Sequence, residues 1–385
     1  MKEVIKLFIK KRASSIFILC IVMILSSCAP DTAVDASDNS SEPFGLRTPP
    51  VTTKEFEQTR TASLSAVGDI LLHGRVYDTA RTEDGFDFDP MFDIIRPYME
   101  ASDITFANSE SIVGGSEIGV STYPSFNSPY EIADALKNAG VDVVSMSNNH
   151  TLDRGVKAIE NAKSYWNEIG IASVGSYLSY EERDEVTRIT RNGITFSFLA
   201  YTYATNGVPT PAGREYLVNR INKEQIQRDL ARAEEQSDVV VLSLHFGEEY
   251  ERMPSSEQID LAHFSAEHGA DIILGHHPHV LQPPAWIETS DGSRSFVVYS
   301  LGNFLSGQDL LYRQIGGILH IEVEKVIDSN SETINLKNPA FTNTFVRSAN
   351  FTKYEIDLLE KVDPEINEEI KAHLSQWIPE LAFIE

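Results

Sequence analysis

Cysteine is nearly absent from this chain of 385 residues, which contains only Cys20 and Cys28. Cys20 lies within an apolar N-terminal run, so a disulfide cannot staple the rest of the chain. A protein of this size can fold on burial of its apolar core alone. The length allows one large domain or two of ordinary size.

Basic residues are also scarce, since Lys and Arg total 32 against 57 Asp and Glu, and the formal net charge is −25. Nucleic-acid binding requires a basic face, so we expect no nucleic-acid partner. The same charge opposes loose capture of any polyanion. An anionic substrate would need a metal ion or a local cluster of basic side chains to hold it.

The N-terminus lacks an apolar run of the roughly 20 residues that span a bilayer. Lys10, Lys11 and Arg12 precede a shorter apolar run over residues 16–25, which is typical of a secretory signal. The run ends in Leu25-Ser26-Ser27-Cys28, which resembles the bacterial lipobox and implies cleavage before Cys28 and lipid attachment to its thiol. An uncleaved anchor helix is the alternative. Both interpretations place the remaining chain outside the cytoplasm, attached to the cell membrane.

The composition divides the chain into four segments. Residues 1–27 form the predicted lipoprotein signal peptide, and residues 28–61, rich in Ser, Thr, Pro and acidic residues, form a flexible tether. Residues 62–352 form the main domain, in which short apolar runs such as DVVVLSLHFG alternate with helical patterns such as NKEQIQRDLARAEEQ. This alternation predicts an α/β fold with a largely parallel core. We expect GGILHIEVEKV to be an edge strand and residues 353–385 to form a helical extension.

Two common catalytic motifs are missing. No G-x-S-x-G sequence marks a nucleophilic serine, and GGSEIG at residues 114–119 has no strand-to-helix context for a phosphate loop. Instead, the apolar runs end in acidic, amide and imidazole side chains. Because carboxyl ends of strands in an α/β fold share one edge, we expect these side chains to converge there. They are Asp69, Asn108, Glu110, Asn148, Asn149, His150, Asp153, His245, Glu248, Glu249, Tyr250, His276, His277, His279 and Asn303.

Each of these residues has an ordinary explanation when it is taken alone. Asp69 could cap a helix or turn, Asn148 and Asn149 could form a turn, and Glu248 and Glu249 could lie on a solvated face. Three histidines within GHHPH are not explained by capping or solubility. Carboxylate, amide and imidazole ligands without thiolate predict Mn, Fe or Zn in a hydrolytic site. A metal-activated water is the simplest nucleophile.

The ordered series GDILLHG, ANSES, SNNHTLDRG, LHFGEEY, GHHPHV and SLGNF resembles the CapA-type poly-γ-glutamate capsule biosynthesis proteins, a branch of the calcineurin-like metallophosphoesterases. The resemblance implies a four-layer αββα sandwich and metal ligation by strand-end residues. It makes His150 the residue that stabilises the transition state or protonates the leaving group, with Asp69 also catalytic. We assign Glu249, Tyr250, Asn303 and His276 to substrate contact. The implied metal ligands are Asp69, Glu110, Asn149, His245, His277 and His279.

This chain departs from the superfamily pattern in two motifs. Asp-x-His is usual in the first motif, whereas Asp69 is followed by Ile70 and Leu71 and the nearest histidine is His73. Asn-Ser-Glu replaces the usual Gly-Asp in the second motif. In the last motif, His276 could replace His277 as the ligand.

Three functions are compatible with these features. The first is a cell-surface metallohydrolase that acts on a phosphoester or amide during synthesis or export of poly-γ-glutamate or a related envelope polymer. The second is a non-catalytic, membrane-tethered accessory of a polymer synthase. The third is a small-ligand binder whose pocket includes Tyr201, Tyr203 and Tyr250. The first two predict an anionic polymer or phosphoester as ligand, and synthase subunits as partners.

Overall fold

The computed structural model describes residues 58–329 and 331–385, which build two β-sheets with helices on their outer faces. The signal peptide, Cys28 and most of the predicted tether lie outside the described residues. Among the residues that the structure describes, every helix is too short or too polar to cross a membrane.

The strands and helices alternate along much of the chain. The strands are β1 (Gln58–Leu71), β2 (Ile104–Asn108), β3 (Val143–Ser145), β4 (Ala172–Val174), β5 (Thr187–Arg191), β6 (Ile194–Thr202), β7 (Val239–His245), β8 (Ile272–His276), β9 (Leu281–Glu288), β10 (Arg294–Leu301), β11 (Asn303–Ser306), β12 (Ile315–Ile327), β13 (Glu332–Ser348), β14 (Tyr354–Leu358) and β15 (Ala382–Phe383). The α-helices are α1 (Gly74–Thr79), α2 (Arg96–Met99), α3 (Glu131–Asn138), α4 (Gly155–Ile169), α5 (Tyr180–Asp184), α6 (Lys223–Glu234), α7 (Ser256–Ala266), α8 (Leu359–Val362) and α9 (Pro364–Leu374).

The first sheet has the order β14-β13-β12-β1-β2-β3-β4, with β11 beside β1 and β15 beside β13. The second has the order β5-β6-β7-β8-β10-β9. Strands β1, β2, β3 and β4 run parallel to one another, and so do β6, β7, β8 and β10. The carboxyl ends of β1, β2 and β3 therefore share one edge of the first sheet, and those of β6, β7, β8 and β10 share one edge of the second.

Three apolar clusters separate four layers. The cluster between the sheets includes Phe106 of β2 and Phe198 of β6, whose ring centroids lie 6.2 Å apart. A second cluster joins the first sheet to α3 and α4 and includes the buried Trp166. The third joins the second sheet to α6 and α7 and includes Leu230. This arrangement confirms the predicted α/β class and the four-layer αββα sandwich.

Local sequence explains why the elements begin and end where they do. Every residue of β7 is buried, as its continuous apolar run predicts for a strand with covered faces. Helix α7 begins with a capping box in which Ser255 and Gln258 exchange side-chain to backbone hydrogen bonds. Helix α4 is capped by Gly170, the residue after its end, whose φ of 78° fits the left-handed conformation that glycine adopts without steric cost.

Three predicted boundaries differ from the structure. Residues 58–61, assigned to the tether, belong to β1 because they pair with the end of β12. GGILHIEVEKV lies in β12, between β1 and β13, and is not an edge strand. Its alternation arises because one face of its second half is only partly covered. The C-terminal segment contains β14 and β15 as well as helices, because both strands pair with β13.

Candidate metal centre

Asp69 lies near the carboxyl end of β1 with its side chain fully buried between the two sheets. Its Oδ1 accepts a hydrogen bond from Asn108 Nδ2 at 2.8 Å. Its Oδ2 lies 3.0 Å from His279 Nδ1 and accepts a weak bond from the His277 backbone N–H at 3.4 Å. A residue of the first sheet thus contacts the histidine turn that follows β8 of the second.

Glu110 follows β2 and is held there by its backbone N–H, which donates to the Ile70 carbonyl at 3.1 Å. Its Oε1 lies 3.6 Å from His245 Nε2 and 3.8 Å from His279 Nε2, beyond hydrogen-bond distance. Both carboxylate oxygens are buried without a hydrogen-bond partner. A buried carboxylate without a donor is costly, so this position calls for a cation.

The histidines converge from the ends of two adjacent strands. His245 ends β7, and its Nε2 lies 3.1 Å from Asn149 Oδ1. The ring of His277 lies 4.8 Å from that of His245, measured between centroids. His277 and His279 have positive φ angles of 99° and 58° around Pro278. Non-glycine residues in such conformations are strained and cluster at functional sites.

Burial and neighbouring charge set the protonation of this cluster. At Asp69, burial raises the pKa, but the nearby imidazoles of His276 and His279, whose Nδ1 atoms lie 3.6 and 3.0 Å from the carboxylate, together hold it well below its ordinary value. Burial raises the pKa of Glu110 well above its ordinary value, and the nearby Asp69 and Glu249 carboxylates raise it further. Burial also lowers the pKa of His245 well below its ordinary value and that of His277 to about 3. The imidazoles of His245 and His277 are therefore neutral at pH 7 and keep a lone pair for a metal.

Three groups of side chains could each hold a metal ion, with ligand atoms that lie within 4.8 Å of one another. Two of the groups share Glu110, one of the metal ligands that the resemblance implied. The third includes Glu249, which we had assigned to substrate contact. The groups are Glu110, His245 and His277; Asp69, Glu110 and His279; and Glu249, His277 and His279.

The donor atoms of this cluster fit a divalent metal. Among the residues that the structure describes, half of the buried side-chain polar atoms without a hydrogen-bond partner lie here. Such atoms are rare in folded proteins unless an ion or water satisfies them. Oxygen and imidazole nitrogen donors without thiolate suit Mn, Fe or Zn. The atoms are Asn108 Oδ1, both Glu110 oxygens, both His276 nitrogens and His277 Nδ1.

His150 lies beside the cluster rather than within it. Its Nδ1 is 2.7 Å from Asp153 Oδ2, and Asp153 also accepts the Phe126 backbone N–H at 2.7 Å. The Phe126 ring packs edge-on against the imidazole, with centroids 4.7 Å apart. Carboxylate and phenyl ring together fix the orientation of His150. The sequence placed Asp153 among the polar strand-end residues, and the structure adds that it orients His150.

A cavity of about 300 Å³ opens beside the cluster and is lined by His150, Glu249, Tyr250 and His279, among others. His73 also lines it, but belongs to none of the three metal-binding groups. The side chains of Tyr203 and Tyr250 flank the histidines, with ring centroids 4.6 Å from His277 and 6.1 Å from His279. Thus Glu249 and Tyr250 lie where a substrate could contact them.

Three other assignments need correction. His276 is buried at the end of β8, 3.6 Å from Asp69, and does not line the cavity, so a substrate there would not reach it. Asn303 is also buried, and its Oδ1 lies 3.1 Å from His279 Nδ1. It therefore orients His279 rather than the substrate. Tyr201 is buried under α6, where its hydroxyl donates to Asp229, so it cannot line a shared tyrosine pocket.

Residues 63–308 match the family described as bacterial capsule synthesis protein PGA_cap. The chain belongs to this family. It is 31% identical over 265 residues to the PGA biosynthesis protein CapA of Bacillus subtilis, covering 64% of this chain and 63% of that protein. It is 27% identical over 278 residues to the capsule biosynthesis protein CapA of Bacillus anthracis, covering 68% and 64%. The match thus spans less than two thirds of either relative.

Solved structures resemble the chain only distantly. A 5'-nucleotidase precursor from Thermus thermophilus superposes with a TM-score of 0.42 at 15% identity, over 82% of this chain and 58% of that one. A likeness at this level supports no argument about function.

Proposed function

We propose that this protein is a metal-dependent hydrolase of the cell surface that acts in synthesis or export of poly-γ-glutamate or a related envelope polymer. Membership of the capsule synthesis family supports a role in the synthesis of such a polymer. The observation that carries the hydrolase proposal is Glu110, a buried carboxylate shared by two metal-binding groups with both oxygens unpartnered. The ligand is an anionic polymer or phosphoester, and membrane synthase subunits are the proposed partners.

The residues that would hold one or two divalent ions are Asp69, Glu110, Asn149, His245, His277 and His279. When bound, the metal supplies Lewis-acid polarisation of the scissile group and an activated water. Because the imidazoles of His245 and His277 are neutral, no proton must leave them before they can bind it. Asn108 holds Asp69 and Asn303 lies against His279, so both fix ligand orientation.

His150 acts from the wall of the cavity. Asp153 holds Nδ1 of the imidazole at 2.7 Å, whereas the Asn206 amide nitrogen is 3.5 Å from Nε2, so Nε2 is the atom that we assign to the substrate. A proton at Nε2 can stabilise the developing charge or pass to the leaving group. The Asp153 carboxylate keeps the ring in the orientation that this transfer requires.

The proposed hydrolysis can be tested on the full-length, metal-loaded protein with two substrate classes, 4-nitrophenyl phosphoesters and γ-linked glutamate oligomers. We expect cleavage of one class, and a fall of about 1,000-fold or more for Asp69→Ala, because several kcal/mol of charge stabilisation leave with the metal. His263→Ala, in an exposed residue of α7, is the matched control and should keep full activity. Cleavage that survives Asp69→Ala, or no cleavage of either class by the wild type, would contradict the proposal.

We also propose that the chain is exported and anchored to the cell membrane by lipid on Cys28. This rests on the basic and apolar pattern before Leu25-Ser26-Ser27-Cys28. Cells fed labelled palmitate should incorporate label into the wild type and into Cys20→Ala, but not into Cys28→Ala. Label that persists in Cys28→Ala would exclude this anchor.

A further inference from the structure

Two arginines line the cavity beside the metal centre, together with His150 and His279. Arg75 is paired with Asp309 at 3.1 Å. Arg313 lies with its guanidinium 3.4 Å from the centroid of the Tyr250 ring. Among the described residues, no carboxylate pairs with Arg313 and no acceptor receives its guanidinium hydrogens. Arg313 is half-buried, so its guanidinium is partly removed from water and the lack of an acidic partner needs an explanation.

Stacking on an aromatic ring does not explain why Arg313 lacks an acidic partner, because the other stacked arginines of the described chain all have a carboxylate partner. Arg252 stacks on Tyr312 and also bonds Glu369 at 2.9 Å. The same holds for Arg75 on Phe351 with Asp309, Arg81 on Phe86 with Asp78, and Arg294 on Trp286 with Glu288, at 3.1 to 3.3 Å. Only Arg313 among them stacks without a carboxylate partner, and it lines the cavity beside the candidate metal ligands.

The position of Arg313 is fixed by the metal centre itself. The Asn303 amide Nδ2 donates to the Arg313 carbonyl at 2.8 Å, while its Oδ1 lies 3.1 Å from His279 Nδ1. On the other side, Tyr250 has a φ of 69°, and its N–H donates to the Pro278 carbonyl at 2.8 Å. The ring and the arginine stacked on it are therefore both tied to the His277-Pro278-His279 turn. Such attachment preorganises a binding group and lowers the entropy cost of using it.

We propose that Arg313 binds an oxyanion of the substrate next to the group presented to the metal centre. The guanidinium offers its hydrogens as a planar fork that fits a carboxylate or a phosphate, and Tyr250 holds that plane at the cavity wall. Glu249 and Asp309 are the carboxylates that line the same cavity, and Asp309 is already paired with Arg75. This inference rests on the proposed function, which supplies the class of substrate. The role of Arg313 in binding an oxyanion does not depend on which bond of that substrate is cleaved.

The test measures binding by isothermal titration calorimetry on full-length, metal-loaded protein at constant ionic strength. The probes are a γ-linked glutamate trimer, the same trimer with its α-carboxylates converted to amides, and glycerol phosphate. For Arg313→Gln we expect affinity for one anionic probe to fall about 10- to 100-fold, the effect of losing charge-assisted hydrogen bonds. Arg313→Lys should recover part of it, and the amidated trimer should bind both proteins equally.

Arg252→Gln is the matched control, because it also removes a stacked arginine but one that Glu369 already neutralises. It should bind like the wild type. A loss for the trimer alone identifies a carboxylate as the anion, and a loss for glycerol phosphate alone identifies a phosphate. Equal binding by wild type and Arg313→Gln, or no binding of either anion by the wild type, would overturn the inference. Arg313-dependent binding without any hydrolysis would instead overturn only the proposed reaction.

Discussion

Replacing Glu110 by glutamine is expected to abolish metal binding and, at the same time, to stabilise the metal-free protein. The carboxylate is buried without a hydrogen-bond donor, so its charge has no compensation when no ion is bound. Its pKa is raised by burial and by Asp69 and Glu249. We expect the free energy of unfolding of metal-free Glu110→Gln to exceed that of the wild type by about 1–3 kcal/mol at pH 8. Urea unfolding with chelator present measures it.

The pH dependence of this difference follows from the direction of the shift. A carboxyl with a raised pKa in the folded state contributes stability that is lost as the pH rises through that pKa. The difference in the free energy of unfolding between Glu110→Gln and the wild type should therefore be small below the ordinary glutamate pKa and should increase as the pH rises. Glu248→Gln, an exposed neighbour of the site, is the control and should show no such difference. A variant that is less stable than the metal-free wild type at every pH would refute this account of Glu110.

Replacing His150 by glutamine is expected to reduce kcat by about 100- to 10,000-fold, the usual contribution of a general acid or base. Metal content should stay unchanged, because His150 belongs to none of the groups that could hold the ion. Hydrolysis by the wild type and by His150→Gln, measured beside the metal content of each, separates the two effects. His263→Gln controls for loss of an imidazole elsewhere. Full activity in His150→Gln, or loss of its metal, would show that His150 has another role.

The sequence was sufficient to predict the fold class and the region of the site. Apolar runs that are buried throughout, such as β7, could be recognised without a structure, and so could the polar residue at each of their ends. Asp69 and Asn108 are 39 positions apart and still meet, because the parallel strands β1 and β2 bring their carboxyl ends to one edge of the first sheet. The position of these residues was therefore predictable from local pattern.

Contacts that depend on the packing of the two sheets were not predictable. The alternation of GGILHIEVEKV indicated an edge strand, yet β12 lies between β1 and β13. Its pattern arises because one face of its second half is only partly covered. His276 and His277 are adjacent, but the backbone turns at His277, so one is buried at the strand end and the other meets His245. Arg313 lay in no motif, since its role depends on Tyr250 and Asn303 in other segments.

We propose that Asp69, Glu110 and the histidine cluster bind a divalent metal. The decisive measurement is elemental analysis of the purified full-length protein after loading with Mn, Fe or Zn and desalting. We predict one to two ions per chain in the wild type and in His263→Ala, and almost none in folded His277→Ala. Absence of bound metal in the wild type after every loading, or an unchanged content in His277→Ala, would contradict the account.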